Sequence, residues 1–438
     1  MIALASMSAW AGADSSPGSA QIVMAPELSR EAEAFENTGN TSEWRIRELQ
    51  IQALKSSPAV LAARLLPEAA QGRLMTAQMY PNPSVEILSG QARPRAGIGA
   101  AGNSTELNLQ QPLEWPAARE ARIQGAQFGV QSSESLRRQV INEVLTDVRL
   151  RSLEWLVRQE DIRFLKDALD LIEQTRNRIA VKVDSGEAAR YELIKAEAEV
   201  LAARSRLDSS RAQAEFTRAR LSQLIGIRLG ENFRIASTRS AIPDQVNIDA
   251  LVVRVVTNNP ELKLRESELA QQEQRLTEQK VLRRPALALQ ARSDQDPEIR
   301  TRQVGIAVSI PVFDTRKGVI REAAADMDLA GVRLEGRRYE LTQQAYATYA
   351  TLLAAKRRVE ALEGGVLKQA EAALSIAQAA YKFGERGILD TLDAQRVLRS
   401  VRSDLTAARL EAFSAATELD RLSGTYLDLL DPNKTTDD

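Results

Sequence analysis

Two hydrophobic periods run through this chain. Val304, Ile306, Val308 and Ile310 share one face of an extended segment, while Gln303, Gly305, Ala307 and Ser309 share the other. Leu107 and Leu109 alternate with Glu106, Asn108 and Gln110 in the same way. With the extended pieces NPSVEILSG and RPALALQAR, this pattern predicts strands over about 83–91, 104–112, 285–293 and 302–312. The joining pieces RPRAGIGAAGN and DQDPEI have loop composition, and Asp294 and Asp296 are expected to be solvated there. Strands of about nine residues, apolar on one side and polar or small on the other, fit a membrane β-barrel wall. They fit equally two soluble hairpins capping a helical bundle.

Elsewhere the period is helical. No proline interrupts 117–184 or 318–383. A helix of some 65 residues runs about 100 Å, far beyond the width of a compact domain. Leu398, Val401, Leu405, Ala408, Ala412, Ala415, Leu419 and Leu422 step by threes and fours. So do Val200, Ala203, Leu207, Ser210, Ala214, Thr217, Leu221 and Leu224. Each set is a heptad seam whose small residues permit close helix approach. A soluble antiparallel coiled-coil scaffold has the same pattern.

The chain is also written twice. GEAARYELIKAEAEVLAAR from Gly186 aligns without gaps on GERGILDTLDAQRVLRSVR from Gly384, 198 residues later. Arg204 falls on Arg402, Leu207 on Leu405, Arg211 on Arg409 and Gly226 on Gly424. Upstream, TELNLQQPLEWPAAREARI matches VGIAVSIPVFDTRKGVIREA, with Pro112 over Pro311. Pro112, Pro116 and Pro311 therefore mark strand–helix junctions. Amphipathic runs at about 59–79 and 260–282 precede the strands. Each half predicts helix, strand, strand, very long helix, glycine turn and long helix. The first repeat spans 43–226 and the second 248–424. Residues 227–247 and 425–438 lose the helical period and are expected to form an equatorial segment beside the helices. Residues 14–42 are an extended N-terminal segment. Residues 1–13, apolar and ending in Ala11-Gly12-Ala13, read as the remnant of an export signal.

Composition narrows the chemistry. The chain is 44% hydrophobic but only 4% aromatic, a balance that favours long helices over a conventional core. It has no His and no Cys, which removes thiol and imidazole chemistry and the usual transition-metal ligand sets. No catalytic, cofactor-binding or metal site is expected, and no enzyme. A net charge of −1 gives no pull toward nucleic acid. No run of apolar residues predicts a transmembrane helix. Four strands cannot close a barrel, and open sheet edges in lipid leave backbone groups unpaired at several kcal/mol each. Three copies pool twelve strands, an even number as bacterial barrels require, and the same symmetry pools the long helices into a tube.

The doubled plan, the segments QPLEWPAAREARI and IPVFDTRKGVIREA, and the stretch AYKFGERGILDTLDAQR together resemble the TolC-like outer-membrane efflux protein family over roughly 43–424. The strand–proline–helix junctions and the G-x5-D-x2-D-A spacing carry the resemblance; the helices alone do not. It implies a mainly α fold with a membrane β-barrel part. The implied assembly is a homotrimer with a 12-stranded barrel in outer-membrane lipid and a periplasmic α-barrel of long antiparallel helices. It also implies a passive conduit that docks a periplasmic adaptor (membrane fusion) protein and an inner-membrane RND-type pump. The QPLEWP junction resembles the cobalt–zinc–cadmium branch, whose pumps are proton-driven cation exporters. A duct for drugs or small organic molecules, or for type I secretion, is the alternative within the family.

Gly384 and Gly387 are expected where the outgoing long helix ends and the return helix begins, with Gly186 at the equivalent turn of the first half, because glycine takes the left-handed conformation cheaply. These turns lie at the end of the tube farthest from the barrel. Asp390 and Asp393, three apart, share a helical face and in a trimer repeat as carboxylate rings that attract cations. In the family this motif carries an entrance gate. Tyr381, Arg386, Asp390 and Asp393 fall on its tyrosine, arginine and two aspartates, and Glu192 falls on the carboxylate that partners the arginine. The resemblance thus implies Arg386–Glu192 and Tyr381–Asp393 contacts that cinch the helix tips at rest. Solvated charges at a helix N-terminus have the same sequence signature. Trp115 reads either as part of an interfacial aromatic belt or as packed on the following helix.

Overall fold

The computed structural model describes residues 43–93, 100–236 and 246–430. A two-residue strand, β1 (Glu43–Trp44), precedes helices α1 (Ile46–Ser56) and α2 (Pro58–Gln78). Strands β2 (Ser84–Ala92) and β3 (Gly102–Leu113) lead into α3 (Pro116–Asp184), and α4 (Arg190–Ile225) returns. After β4 (Arg234–Ile235) the plan repeats with α5 (Ile248–Asn258), α6 (Pro260–Val281), β5 (Ala286–Gln295) and β6 (Arg300–Ser309). The last hairpin is α7 (Lys317–Ala361), α8 (Leu367–Lys382) and α9 (Ile388–Ser423). A 3-10 turn, Thr425–Leu430, closes the described chain. The expected signal remnant at 1–13, the segment 14–42, residues 237–245 and the tail from 431 lie outside the described residues.

Each half holds one helix more than the sequence pattern predicts. Helices α1 and α5 have eleven residues apiece, too few turns for the period to stand out. Pro58, Pro116 and Pro260 open α2, α3 and α6 at the first helical position, where a missing N–H leaves no bond unmade. Asn259 caps α6 by accepting from the Glu261 N–H at 2.9 Å, and its own amide donates to the Leu422 carbonyl at 2.9 Å.

Helix α3 is continuous for 69 residues, about 100 Å. Its counterpart is not. A π turn at Leu362–Val366 separates α7 from α8, correcting the unbroken helix expected over 318–383. Adjacent Gly364 and Gly365 support the α ladder weakly, and a wider turn is accommodated there. Arg409 of α9 ties the turn down by donating to Glu363 at 2.8 Å.

The heptad seams are present. All eight second-half seam residues are buried; in the first half Val200 and Leu224 are half-buried and the other six are buried. The duplication extends to ion pairs. Arg204 meets Glu173 at 2.9 Å and Arg402 meets Glu371 at 3.0 Å, each joining an outgoing helix to its return partner. Both residues of one pair lie 198 positions from those of the other.

The main sheet runs β2-β3-β5-β6, antiparallel throughout. Two departures from expectation occur here. The last strand stops at Ser309 rather than reaching 312, because Pro311 has no N–H for a ladder and Val312 instead turns back onto the Ile310 carbonyl at 3.0 Å. Pro112, by contrast, lies within β3, opposite Ala288. Asp294 belongs to β5 and not to a loop; it faces Arg292 at 2.9 Å. Asp296 does sit in the turn, where its Oδ1 accepts the backbone N–H groups of Glu298 and Ile299 at 2.8 and 2.6 Å.

Partway along the helices, β1 pairs in parallel with β4. A core of Ile46, Leu49, Ile141, Leu145, Trp155, Phe233, Ile235 and Tyr426 gathers around them. In it the Tyr426 hydroxyl donates to Asp420 Oδ2 at 3.0 Å. Burial pushes the Asp420 carboxyl above its ordinary range, outweighing nearby Arg149. A carboxyl raised by folding destabilises as pH climbs through the raised value, and that cost is absent below the unfolded value near 3.9. Asp420→Asn keeps an acceptor for Tyr426 and removes the charge. Its thermal midpoint is expected to rise at pH 8 and to change little at pH 4; the same shift at both would contradict this account.

Candidate functional site: an uncovered sheet face and the hairpin tips

Cross-strand register sorts the sheet into two faces. One carries the rows Leu113–Leu287–Val308, Gln111–Leu289–Ile306 and Val85–Leu109–Ala291–Val304. The other carries Ser84–Gln110–Gln290–Gly305, Glu86–Asn108–Arg292–Gln303 and Leu88–Glu106–Asp294–Thr301. The alternation expected of Leu107, Leu109, Val304, Ile306 and Val308 is the observed one; Ile310 lies just past the strand. Among the described residues nothing covers the apolar face: Val304 and Ile306 are 79% and 66% exposed. The outer strands β2 and β6 keep one unpaired edge each. A soluble hairpin cap would press this face against its bundle, and that reading does not describe the sheet.

Where strands enter helices, Arg122 fixes the junction. Its guanidinium pairs with Glu114 and donates to the Ala77 carbonyl at 3.0 Å. The Trp115 indole donates to the Pro285 carbonyl at 3.0 Å, and Arg284 stands over its ring at 5.5 Å. Trp115 thereby ties the first repeat's junction to the second repeat's strand. Phe313, just beyond β6, is fully exposed.

At the far end the two hairpin tips share one construction. Gly186 and Gly384 are left-handed, with φ of 79° and 77°. In each, the following N–H, from Glu187 or Glu385, reaches back to the carbonyl of Lys182 or Ala380, at 2.7 and 2.9 Å. Gly387 stands where the return helix begins, but it is not left-handed. It caps α9 in extended conformation, φ −73°, a position held by Ala189 in the first tip, so a side chain is tolerated there.

The tips pack on each other through Ile172, Ile179, Ala196, Ile388 and Leu392, with Tyr381 against them. Lys182 stands over the Tyr381 ring at 4.8 Å. The Tyr381 hydroxyl is buried without a hydrogen-bond partner among the described residues, and burial, then the Glu192 carboxylate, pushes its pKa up. Exposed Arg386, in the turn, pairs with Asp390 of the following helix α9 at 3.3 Å, and Asp393 pairs with Arg396 at 3.5 Å. Within one chain these bonds stand where the Arg386–Glu192 and Tyr381–Asp393 contacts were expected. Tyr381, Glu192, Arg386, Asp390 and Asp393 do gather at the tips.

Sequence reasoning missed Glu199. This buried carboxylate of α4 receives the Arg396 guanidinium, with Nε at 2.9 Å, and lies 3.9 Å from Arg399 of α9. It joins the return helices of both hairpins, about two turns beyond Glu192 on α4 and one turn beyond Asp393 on α9. The available signal was its position: three residues past Ala196 and four before Ala203, inside the buried stripe of α4.

Comparison with known proteins places this architecture. The chain is 23% identical over 363 residues to the cobalt-zinc-cadmium resistance protein CzcC of Cupriavidus metallidurans, covering 82% of this chain and 84% of that protein. Its fold matches the crystal structure of CusC with a TM-score of 0.74 at 15% identity, over 89% of this chain and 95% of the other. It matches the outer membrane protein VceC of Vibrio cholerae with a TM-score of 0.72 at 17% identity, over 86% and 96%. The family model described as outer membrane efflux protein matches residues 49–227 and 251–425. With most of the chain accounted for in both repeats, the protein belongs to the outer membrane efflux protein family and places its long helical hairpins in the periplasm.

Proposed function

We propose that three copies of this chain form the outer-membrane conduit of a tripartite efflux system. The carrying observation is the four-stranded sheet, apolar on one uncovered face and open at both edges. Pairing β6 with a neighbour's β2 satisfies the edges that lipid would otherwise penalise and closes a twelve-stranded barrel with its polar face inward. The helices support the same closure. On the β6 side, α7 exposes Val332, Tyr339, Tyr346 and Leu353, seven residues apart each time. On the other side, α4 exposes Tyr191, Ile194 and Leu201. Such stripes pack in a ring of helices and have no partner in a single chain.

The tube is passive. It receives cargo from a periplasmic adaptor and an inner-membrane proton-driven pump of the RND type. Kinship with a cobalt-zinc-cadmium resistance protein favours heavy-metal cations over drugs as that cargo. Deleting the gene in its host and growing the strain on graded Co, Zn, Cd and Ni and on hydrophobic drugs tests this. Sensitivity to the metals alone is expected; sensitivity to the drugs alone would replace the cargo and keep the conduit.

The periplasmic entrance is gated by Tyr381, Arg386, Asp390, Asp393 and Glu192. At rest, Arg386 with Glu192 and Tyr381 with Asp393 cinch neighbouring tips. Exposed pairs of this kind are worth about 0–1 kcal/mol each, a latch that adaptor docking can undo. Arg386→Ser is expected to raise single-channel conductance in planar bilayers severalfold. Unchanged conductance would remove the latch while leaving the conduit untouched.

A further inference from the structure

The apolar face of the sheet does not end in neutral residues. The row that contains Ile87 and Leu107 already finishes in Ser293 and Arg302, and the rows above it carry Ser89, Thr105, Gln295 and Arg300, then Gln91 and Asn103, with Arg93 just after β2. Among the described residues, no carboxylate shares that end of the face. The opposite face nearby is acidic, with Glu106 and Asp294 in the row just above that of Ile87 and Glu86 beside Arg292 in the row just below it. The nearest carboxylates, in the turn, are engaged elsewhere: Asp296 by backbone N–H groups and Glu298 by the Ala100 N–H. Charge is thus segregated across a sheet one residue thick.

We propose that Arg93, Arg300 and Arg302 bind the phosphate of an anionic lipid headgroup in the outer leaflet, at the seam between subunits. The inference rests on the trimeric membrane barrel proposed above. All three arginines are exposed; Arg300 and Arg302 lie on edge strand β6, and Arg93 directly follows edge strand β2. Antiparallel pairing of β6 with a neighbour's β2 brings Arg93 of one chain to the same end of the seam as Arg300 and Arg302 of the next. Glutamines orient two of them: Arg93 donates to Gln91 at 3.1 Å and Arg300 to Gln295 at 2.6 Å, and a guanidinium carries more N–H donors than one such bond uses. Guanidinium forks match phosphate oxygens bidentately. Ile87 shares the row of Arg302, and below it lie Val85, Val304 and Ile306, an apolar strip along which acyl chains fit. A free phosphate makes no use of that strip; a lipid uses both parts.

The test uses the full chain purified as a detergent-solubilised oligomer and examined by native mass spectrometry. The probes are bisphosphorylated lipid A and its dephosphorylated form in mixed micelles. Wild type is expected to retain the phosphorylated lipid at least tenfold better, with roughly one molecule per seam. The triple variant R93Q/R300Q/R302Q should lose that preference, and the triple Lys variant should recover part of it. Equal retention of the two lipids by wild type overturns the proposal, and that comparison decides the matter even if the Gln variant fails to assemble. Wild type that is monomeric and soluble without detergent overturns the conduit reading as well, so the two failures are distinguishable.

Discussion

Gly226→Ala is expected to destabilise the protein by about 3–5 kcal/mol, far more than alanine at any other left-handed glycine. Gly226 ends α4 at φ 81°, a conformation costing an L-residue about 1–2 kcal/mol. Space is the larger obstacle. A Cβ there would stand 2.0 Å from the Ser56 carbonyl oxygen and 2.7 Å from its carbon. Those are backbone atoms, and they are held: the Ser56 hydroxyl donates to the Ile225 carbonyl at 2.6 Å. The α1–α2 corner would have to move away from the return helix. The repeat supplies the controls. Gly424, its equivalent, has φ 70° but leaves 3.4 Å to the Asn258 carbonyl, and Gly186 and Gly384 face open space. Alanine at those three positions should cost only about 1–2 kcal/mol, the backbone strain alone. Thermal melts followed by circular dichroism rank the four variants. A Gly226→Ala midpoint equal to that of Gly384→Ala would show that the corner yields freely.

What was legible in the sequence is what rests on a local period or a duplicated residue. Each of the four long strands ends within three residues of its expected limits, because polar and apolar residues alternate there with full chemical contrast. The seam of α9 was readable in full, since a coiled-coil face repeats every seven residues whatever else surrounds it. Gly226 and Gly424 already coincided in the repeat, and both prove to be left-handed caps. Features that depend on distant partners were not legible. The β1–β4 pairing joins two residues to two others across almost two hundred positions, with no periodic trace. The π turn at Gly364–Gly365 has no distinctive signal either, for Gly331 and Gly336 lie in the same helix without disturbing it. At the tips, residue identities marked the region but not the bonds. Arg396 has Asp393 on its own helix and Glu199 across the groove, and it engages both. Charge pattern along one helix cannot reveal the second partner.

Ile306→Lys is expected to abolish assembly in the membrane, while Gly305→Lys, one residue away, should be tolerated. Adjacent strand positions point to opposite faces, so these substitutions place the same charge on opposite sides of β6. Ile306 sits in the apolar row with Leu289 and is 66% exposed in the single chain. A lysine at that depth in lipid costs about 2–4 kcal/mol per chain, incurred once in every copy of a symmetric assembly. Gly305 lies opposite Gln290 on the polar face, and an added Cβ meets nothing within 4 Å. Its lysine would stand in the water-filled lumen and make cation passage harder without loosening the barrel. Heat-modifiable migration on denaturing gels reads assembly directly. Gly305→Lys should retain the oligomer band with reduced cation conductance, and Ile306→Lys should lose the band. If both variants kept it, the apolar face would not be facing lipid, and the requirement that unpaired strand edges recruit further copies would lose its force.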